Sequence, residues 1–260
     1  MGRAQRQAKA ASKLSTLAAQ EAQSAFSELS GPYEKLISLG LPFLIFIVYF
    51  LTLCPSLSGG DSGELITVAR TLGVAHPPGY PLFTLLGKAF TWIPFGNVAW
   101  RVNLLSALCD SAAAAFLLQA VFRWTGNIWA GALTAGLFAF SPLIWTYAVP
   151  AEVFGLNNLF VAALFFMAVQ TVRDTRPSLV YFSAFLFGLG LSNHHTLLFY
   201  GAPIILWMIL RKPTTFLRPR GIAIMMGLFS LGLVPYAYLP WAPLDSRQPF
   251  GVILDRGADF

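Results

Sequence analysis

Apolar runs long enough to cross a bilayer recur along most of this chain, and they exclude a soluble globular protein. Hydrophobic residues occupy 56% of its 260 positions and charged residues only 11%, and the mean hydropathy is +0.65. A membrane-spanning helix needs about 20 predominantly apolar residues, so the runs predict an all-α polytopic membrane protein. The seven segments that we expect to cross are 36–54, 101–123, 128–149, 153–172, 178–192, 196–211 and 221–240.

The two ends of the chain differ from this multispan domain, which we place at residues 36–240. Residues 1–35 are basic and lack the apolar stretch of a signal peptide, so we expect a disordered cytosolic tail. A mitochondrial presequence is the alternative that shares this composition. Residues 241–260 follow the last predicted span and are expected to form a lumenal tail.

The distribution of Lys and Arg predicts which side of the membrane each loop faces. If the N-terminus is cytoplasmic and every segment crosses once, 12 of the 17 basic residues lie on the cytoplasmic side and 5 on the other. This division follows the positive-inside rule, and it accounts for the net charge of +6 without a nucleic-acid partner. The acidic and histidine side chains that this threading places on the lumenal or exterior face are Asp61, Glu64, His76, Glu152, His194 and His195.

The segment between the first two predicted spans contains an apolar stretch that we do not expect to cross. Residues 82–93 are too short for a span, and they include Lys88. We therefore predict two helices that lie along the membrane surface, at 61–73 and 79–93, joined by a Pro-Pro-Gly turn. The first has apolar residues recurring on one face, which is typical of an interfacial helix.

Two polar motifs stand at membrane boundaries. The sequence DSGEL at 61–65 is followed by HPPGYP at 76–81, and GLGLSNHHT at 188–196 separates two apolar segments. Charge at a membrane edge is common, but charge combined with helix breakers indicates a functional site more than a plain loop. The predicted threading brings both motifs to the same face.

These motifs resemble those of a known glycosyltransferase superfamily. The acidic opening at Asp61, the pair Ala69-Arg70, the Pro-Pro turn and Arg101 at the head of the second span are similar to the first lumenal loop of the GT-C fold. The longer strings at 61–65, 76–81 and 188–196 resemble the transmembrane protein 260 family more specifically. The resemblance covers roughly residues 36–240, and it implies a GT-C-like bundle with two lumenal surface helices.

The resemblance also implies a function. Members of that family are protein O-mannosyltransferases of the endoplasmic reticulum membrane that modify immunoglobulin-like domains of plexins and related receptors. We therefore expect inverting transfer of mannose from dolichyl phosphate mannose to a Ser or Thr hydroxyl, with the polyprenyl chain in the lipid bilayer between spans. No metal or cofactor is expected, because cations or neutral donors can stabilise a phosphate leaving group.

Two acidic residues are candidates for catalysis, Asp61 and Glu64. Asp61 is either a general base for the acceptor hydroxyl or an N-cap that forms a variant capping box with Glu64. The two roles are compatible, since one carboxylate oxygen can cap while the other faces substrate. Glu64 lies one helical turn further on, where it would orient the acceptor or tune the base.

Five further residues are candidates for binding substrate or donor. His76 is either a contact to the donor phosphate or acceptor, or a turn residue that caps a carbonyl. Arg101 is either a phosphate ligand or an interfacial arginine that extends toward water. Glu152 is either functional or simply favoured at a helix start by the helix dipole. His194 and His195 lack an acidic or cysteine partner at ligand spacing, so we expect hydrogen bonds to phosphate or sugar and not zinc.

Two other classes of protein compete with the glycosyltransferase hypothesis. A multispan transporter predicts ionisable residues at mid-bilayer and unwound helices in two repeats. Here Asp110 is the main deep charge, and we expect it to be paired or to face a cavity. Family members continue through more spans, and residues 244–260 do not resemble their continuation. A catalytically inactive, truncated membrane protein is therefore the second alternative.

The threading makes a testable prediction about the two chain ends. We expect a tag at Met1 to be digested and a tag at Phe260 to be protected when sealed microsomes are treated with protease, because seven crossings separate the ends. Detergent should expose both tags. Protection of the Met1 tag, or the same response from both tags, would contradict the predicted topology.

Overall fold

The structure, a computed structural model, describes residues 31–174 and 176–242, and the predicted tails lie almost wholly outside these ranges. Every regular element in the described residues is helical, which confirms the prediction of an all-α polytopic membrane protein. The elements are α1 (Pro32–Leu51), α2 (Ser62–Thr71), α3 (Pro81–Phe90), α4 (Val98–Thr125), α5 (Ile128–Ala139), α6 (Pro142–Ala148), α7 (Val153–Arg173), α8 (Pro177–Leu191), α9 (Leu197–Arg211), α10 (Pro213–Phe216), α11 (Pro219–Gly232) and a 3-10 helix (Val234–Trp241).

The local sequence explains where many of the helices begin. Proline occupies the first position of six α-helices, where its missing N–H costs no hydrogen bond. The side chains of Asn97, Asn127 and Ser141 accept backbone N–H groups at the starts of α4, α5 and α6. These are the residue types that cap helices most often.

Each predicted crossing segment coincides with a helix or with a pair of helices. Four helical stretches in the described residues are long and apolar enough to span a bilayer: Tyr33–Leu51, Val98–Thr125, Val153–Arg173 and Pro219–Trp241. The segment predicted at 128–149 forms α5 and α6, which are bent by 67° at a short break. Helices α8 and α9 have 15 residues each, fewer than the roughly 20 of a typical span. The total of seven crossings therefore stays a prediction.

The long helices α4 and α7 pack closely against each other and form the centre of the bundle. An Oδ atom of Asp110 on α4 accepts a hydrogen bond of 2.9 Å from the Asn158 amide on α7. A Cβ atom on Gly155 would lie 2.9 Å from the other Asp110 oxygen, so glycine is what permits this close approach. Of the two expectations for Asp110, paired or facing a cavity, the structure shows one oxygen bonded to a neutral amide and the other buried without a hydrogen-bond partner among the described residues.

The two short helices predicted at 61–73 and 79–93 are present as α2 and α3, but the surroundings of α2 differ from those expected. The apolar face that suggested a membrane interface includes Leu72, which is half-buried, and three further residues. These three, Leu65, Val68 and Ala69, are each at most 2% exposed within the described residues. They belong to one core cluster with residues of α3, α4 and α7. The apolar face of α2 thus packs against protein, because amphipathic periodicity alone does not distinguish a lipid surface from a protein core.

Two polar side chains on α4 hold the segments that carry the predicted site. The amide nitrogen of Asn103 donates to the carbonyls of Cys54 and Ser56, and its oxygen accepts from the backbone N–H of Ala151. Ser106 exchanges hydrogen bonds of 3.1 and 3.2 Å with the backbone of Glu152. The chain entering α2 and the chain entering α7 are therefore fixed to the same helix.

Helices α8 and α11 cross so closely that no side chain would fit at two of their glycines, and a substitution there tests this contact. A Cβ atom on Gly188 would overlap the carbonyl oxygen of Phe229, and one on Gly232 would lie 2.5 Å from the backbone nitrogen of Leu189. We expect Gly188→Ala to destabilise the protein by about 1–3 kcal/mol, the usual cost of overpacking, and to lower the thermal midpoint in detergent.

The matched control for this substitution is Gly227→Ala on α11. A Cβ atom there would meet nothing within 4 Å, and alanine favours helix over glycine. We expect the control to keep or slightly raise the thermal midpoint. Equal midpoints for the two variants would contradict the close crossing of α8 and α11.

Candidate active site

Four segments of the chain meet at one end of the bundle. They are the start of α2, the turn between α2 and α3, the start of α7, and the turn between α8 and α9. Hydrogen bonds, ring contacts and electrostatic interactions connect Asp61, Glu64, His76, Glu152 and His194 in one cluster. Sequence reasoning placed these residues on one face, and the structure brings them into contact or near contact.

Glu64 and His76 form the closest pair in this cluster. One Glu64 oxygen accepts the backbone N–H of His76 at 2.6 Å, and the other lies 2.8 Å from the His76 Nδ1. A carboxylate oxygen accepts hydrogen bonds, so the Nδ1 of His76 is the donor in this contact. The Nε2 atom of His76 then accepts from the Tyr80 hydroxyl, 3.0 Å away.

Asp61 occupies the N-cap position of α2, but its side chain makes no capping hydrogen bond. Its carboxylate lies 3.9 Å from the His76 Nε2, and the side chain is 59% exposed. Glu64 does not complete a capping box, because both of its oxygens bond to His76. The capping alternative is therefore not formed, and the Asp61 carboxylate is accessible to a substrate.

Glu152 precedes α7 and differs from Asp61 in being buried. Its side chain does not cap the helix, and the residue is only 5% exposed. Burial raises the pKa of Glu152 from its usual 4.5 to about 7, and the negative charge of Asp61 adds to this effect. A hydrogen bond with the backbone of Asp61 and the proximity of His76 act in the opposite direction. Glu152 thus joins the start of α7 to the start of α2.

Aromatic contacts connect His76 to His194. The Tyr80 ring makes an edge contact with His76 at 5.1 Å, and it stacks on His194 at 5.6 Å with an interplanar angle of 9°. Phe154 on α7 contacts His194 from another direction, also at 5.6 Å. Burial lowers the pKa of His194, with further lowering from His195 and His76. The His194 ring is therefore fixed in position and favoured in its neutral form.

Two predicted site residues have other immediate partners. The Nε2 atom of His195 lies 2.6 Å from the hydroxyl of Tyr236 in the 3-10 helix. Arg101 donates to the carbonyls of Phe95 and Thr91 at 3.0 and 2.9 Å. These bonds close the connection between α3 and α4, so the structural role of Arg101 is visible and its predicted contact to phosphate stays a prediction.

One group in the described residues has the composition of a metal site. Ligand atoms of Asp61, Glu64 and His76 all lie within 4.8 Å of one another. In this arrangement one Glu64 oxygen already bonds to the His76 Nδ1, and the other accepts from the backbone N–H of His76. A bound cation would have to replace those hydrogen bonds, and the expectation of a metal-free site stays a prediction.

Sequence reasoning did not single out Tyr80, Thr196 or Tyr236. Tyr80 and Thr196 stand inside the motifs, but nothing in their spacing indicates a role. Tyr80 has a positive φ of 43° immediately before the first residue of α3, and this backbone conformation directs its ring between the two histidines. Tyr236 is separated from His195 by 41 positions, so only the tertiary structure shows their contact.

The raised pKa of Glu152 predicts a pH dependence of stability. The folded protein holds the proton of this carboxyl up to about pH 7, whereas the unfolded chain releases it near 4.5. The free energy of unfolding should therefore fall as the pH rises through this window. We expect Glu152→Gln to raise the thermal midpoint by several degrees above pH 7 and to change it little below pH 4.5. The same difference at every pH would contradict this origin of the effect.

Comparison with known proteins places the site in a family context. A family model described as "Protein O-mannosyl-transferase TMEM260 N-terminal domain" matches residues 61–217. The chain is 47% identical over 210 residues to the mouse protein O-mannosyl-transferase TMEM260, covering 77% of this chain and 29% of the relative. It is 41% identical over 221 residues to the Dictyostelium discoideum protein O-mannosyl-transferase tmem260, covering 78% of this chain and 27% of the relative.

The match begins at Asp61 and contains the cluster described above. No solved structure matches the chain. The chain spans less than a third of the length of either relative. The family model covers more than half of the sequence, and on this basis the chain belongs to the TMEM260 family through its N-terminal domain.

Proposed function

We propose that this chain is the N-terminal, site-bearing part of a protein O-mannosyltransferase. The names of its relatives support this class of activity. The observation that carries the proposal is the exposed Asp61 carboxylate beside the ordered Glu64–His76–Tyr80 network. The donor we propose is dolichyl phosphate mannose, and the acceptor is a Ser or Thr hydroxyl in an immunoglobulin-like domain of a plexin-type receptor. The compartment we propose is the endoplasmic reticulum membrane.

The reaction we propose is a single displacement with inversion at the sugar. The Asp61 carboxylate takes the proton of the acceptor hydroxyl as that oxygen attacks C1 of mannose. The bond between C1 and the phosphate oxygen breaks, and its electron pair leaves on dolichyl phosphate. A base for this step must be accessible and ionised, and Asp61 is the most exposed of the three acidic side chains in the cluster.

The other acidic residues support Asp61 in different ways. Glu64 holds His76 in place through two hydrogen bonds, so it acts on the geometry of the site. Glu152 holds the backbone at Asp61 from a buried position. His76, His194 and His195 are proposed contacts for the sugar or the phosphate. Arg101 would reach the phosphate only if its bonds to backbone carbonyls rearranged.

We propose that the reaction needs no metal or cofactor. A phosphate leaving group carries its charge from the start, and N–H donors can stabilise its departure. The test is activity after exhaustive chelation, with Mn²⁺ or Mg²⁺ added back. Transfer that stops on chelation and returns with metal would favour the Asp61, Glu64 and His76 group as a cation site.

The transporter alternative has no comparable support. Its main indication was the deep charge of Asp110, and that side chain is bonded to Asn158 between two packed helices. The polar network lies instead where helices begin and end. A polar network at helix ends is expected of a site that faces one side of the membrane, and a deep charge bonded between helices does not require a transport path.

Asp61→Asn tests the proposed base. Removal of a general base typically costs a factor of about 10²–10⁴ in rate, so we expect transfer to be lost by that factor. Expression and donor binding should be retained, because the Asp61 side chain makes no capping bond and is largely exposed. The measurement is mannose transfer in reconstituted membranes, with the same substitution at the aligned position of the full-length mouse relative.

The matched control is Asp174→Asn, which removes a carboxylate that pairs with Arg176 outside the cluster. We expect this variant to transfer mannose at the wild-type rate. Transfer by Asp61→Asn within twofold of wild type would remove Asp61 from catalysis. Loss of the folded protein would instead assign Asp61 a structural role.

A further inference from the structure

The three histidines of this chain have their neutral tautomers set by different neighbours. The backbone N–H of Thr196 lies 3.1 Å from the Nδ1 atom of His194, and the Thr196 hydroxyl lies 2.6 Å from the same atom. A backbone N–H can only donate, so Nδ1 of His194 must present its lone pair. The proton of the neutral His194 ring is therefore on Nε2.

The other two histidines use their Nε2 atoms for internal bonds. Nε2 of His76 accepts from the hydroxyl of Tyr80. The hydroxyl of Tyr236 donates its proton to the carbonyl of Leu191 at 3.1 Å, so Nε2 of His195 must donate to that hydroxyl. Among the described residues, Nε2 of His194 has no hydrogen-bond partner. Its ring face lies against Tyr80, its side chain is half-buried, and its N–H is free to meet a ligand.

We infer that Thr196 is a positioning residue that holds His194 as the Nε2–H tautomer, and that this N–H donates a hydrogen bond to a phosphoryl oxygen of the lipid-linked donor. The inference rests on the proposed function. It assigns the phosphate contact to a neutral donor and assigns a role to Thr196, whose place in the sequence motif did not indicate one.

The acidic residues of the site oppose the binding of an anionic ligand, so a phosphate needs a hydrogen-bond donor there. The carboxylates of Asp61 and Glu64 lie beside His76, and they would repel a phosphate that approaches them. Hydrogen bonds to charged groups are stronger than neutral pairs, so one fixed N–H offsets part of that repulsion. Burial and the adjacent histidines lower the pKa of His194, which keeps the ring neutral and leaves one N–H.

The tautomer can be observed without any activity assay. The chain has only 3 histidines, so ¹⁵N-histidine NMR in nanodiscs resolves them once single-histidine variants assign the signals. We expect wild-type His194 to be protonated at Nε2 and Thr196→Ser to preserve its signals. Thr196→Val keeps the backbone N–H but removes the hydroxyl that lies 2.6 Å from Nδ1, so we expect it to shift the ¹⁵N signals of His194. The matched control Tyr236→Phe should change the signals of His195 and leave those of His194. A wild-type His194 that carries its proton on Nδ1, or an unaltered spectrum in Thr196→Val, would overturn the inference.

The ligand contact is tested with dolichyl phosphate as the probe and dolichol as the phosphate-free control. A glutamine amide can replace the Nε2–H group of histidine, whereas an asparagine amide lies nearer the position of Nδ1. We expect His194→Asn to weaken dolichyl phosphate binding about tenfold or more, the loss expected for one hydrogen bond to a charged oxygen. His194→Gln should lose clearly less affinity, and dolichol binding should not distinguish the variants.

The outcomes separate this inference from the proposed function. If the wild-type protein binds dolichyl phosphate but His194→Asn and His194→Gln weaken it equally, the tautomer-specific contact is wrong and the proposed function stands. If the wild-type protein binds dolichyl phosphate no better than dolichol, the proposed donor and the phosphate contact both fail. In that case the NMR result for Thr196 still decides whether the positioning role is correct.

Discussion

A single buried amide on α4 determines where the acidic groups of this protein stand. Asn103 is fully buried, and it bonds to the carbonyls of Cys54 and Ser56 and to the N–H of Ala151. An unpaired amide in this position would cost several kcal/mol, so its three bonds strongly favour one arrangement. The segment before α2 and the segment before α7 are thereby held on opposite sides of one side chain. Glu152 directly follows Ala151, and Asp61 lies five positions after Ser56.

The three carboxylates of the cluster have similar chemistry but different environments, and this difference assigns their roles. Glu152 is buried, and its pKa of about 7 leaves it partly protonated near neutrality. Glu64 is half-buried and uses both oxygens on His76. Asp61 keeps an accessible carboxylate beside this pair. Burial of Glu152 and the internal bonds of Glu64 thus leave Asp61 as the most accessible carboxylate of the three.

The sequence predicted the helical class and the gathering of polar residues at one end, because both follow from rules that act locally. Bilayer-length apolar runs become helices, and the positive-inside rule fixes which helix ends lie together. The prediction for α2 was less successful, since the face containing Leu65 and Val68 packs on α3, α4 and α7 and not on lipid. An apolar stripe has the same period in both environments. Only the long-range packing of the bundle distinguishes them.

The side-chain partners were harder to predict for the same reason. Capping rules placed Asp61 at the start of a helix correctly, but not the competing bond that directs Glu64 to His76, 12 positions away. Tyr80 reaches His194, and Tyr236 reaches His195, only because distant segments of the chain meet. The expected roles of such residues depend on contacts between segments, and a single sequence holds no direct record of those contacts.

The connections around the short helices occupy two of the nearby cations with backbone carbonyls. Breaks between helices leave carbonyls without intrahelical partners, and the nearby cations satisfy them: Lys88 bonds to the carbonyl of Arg70, and Arg101 to those of Thr91 and Phe95. These positive charges therefore stabilise the backbone that shapes the site. The cluster itself holds carboxylates and histidines, and the bonds that build the turns keep Lys88 and Arg101 on backbone carbonyls beside it.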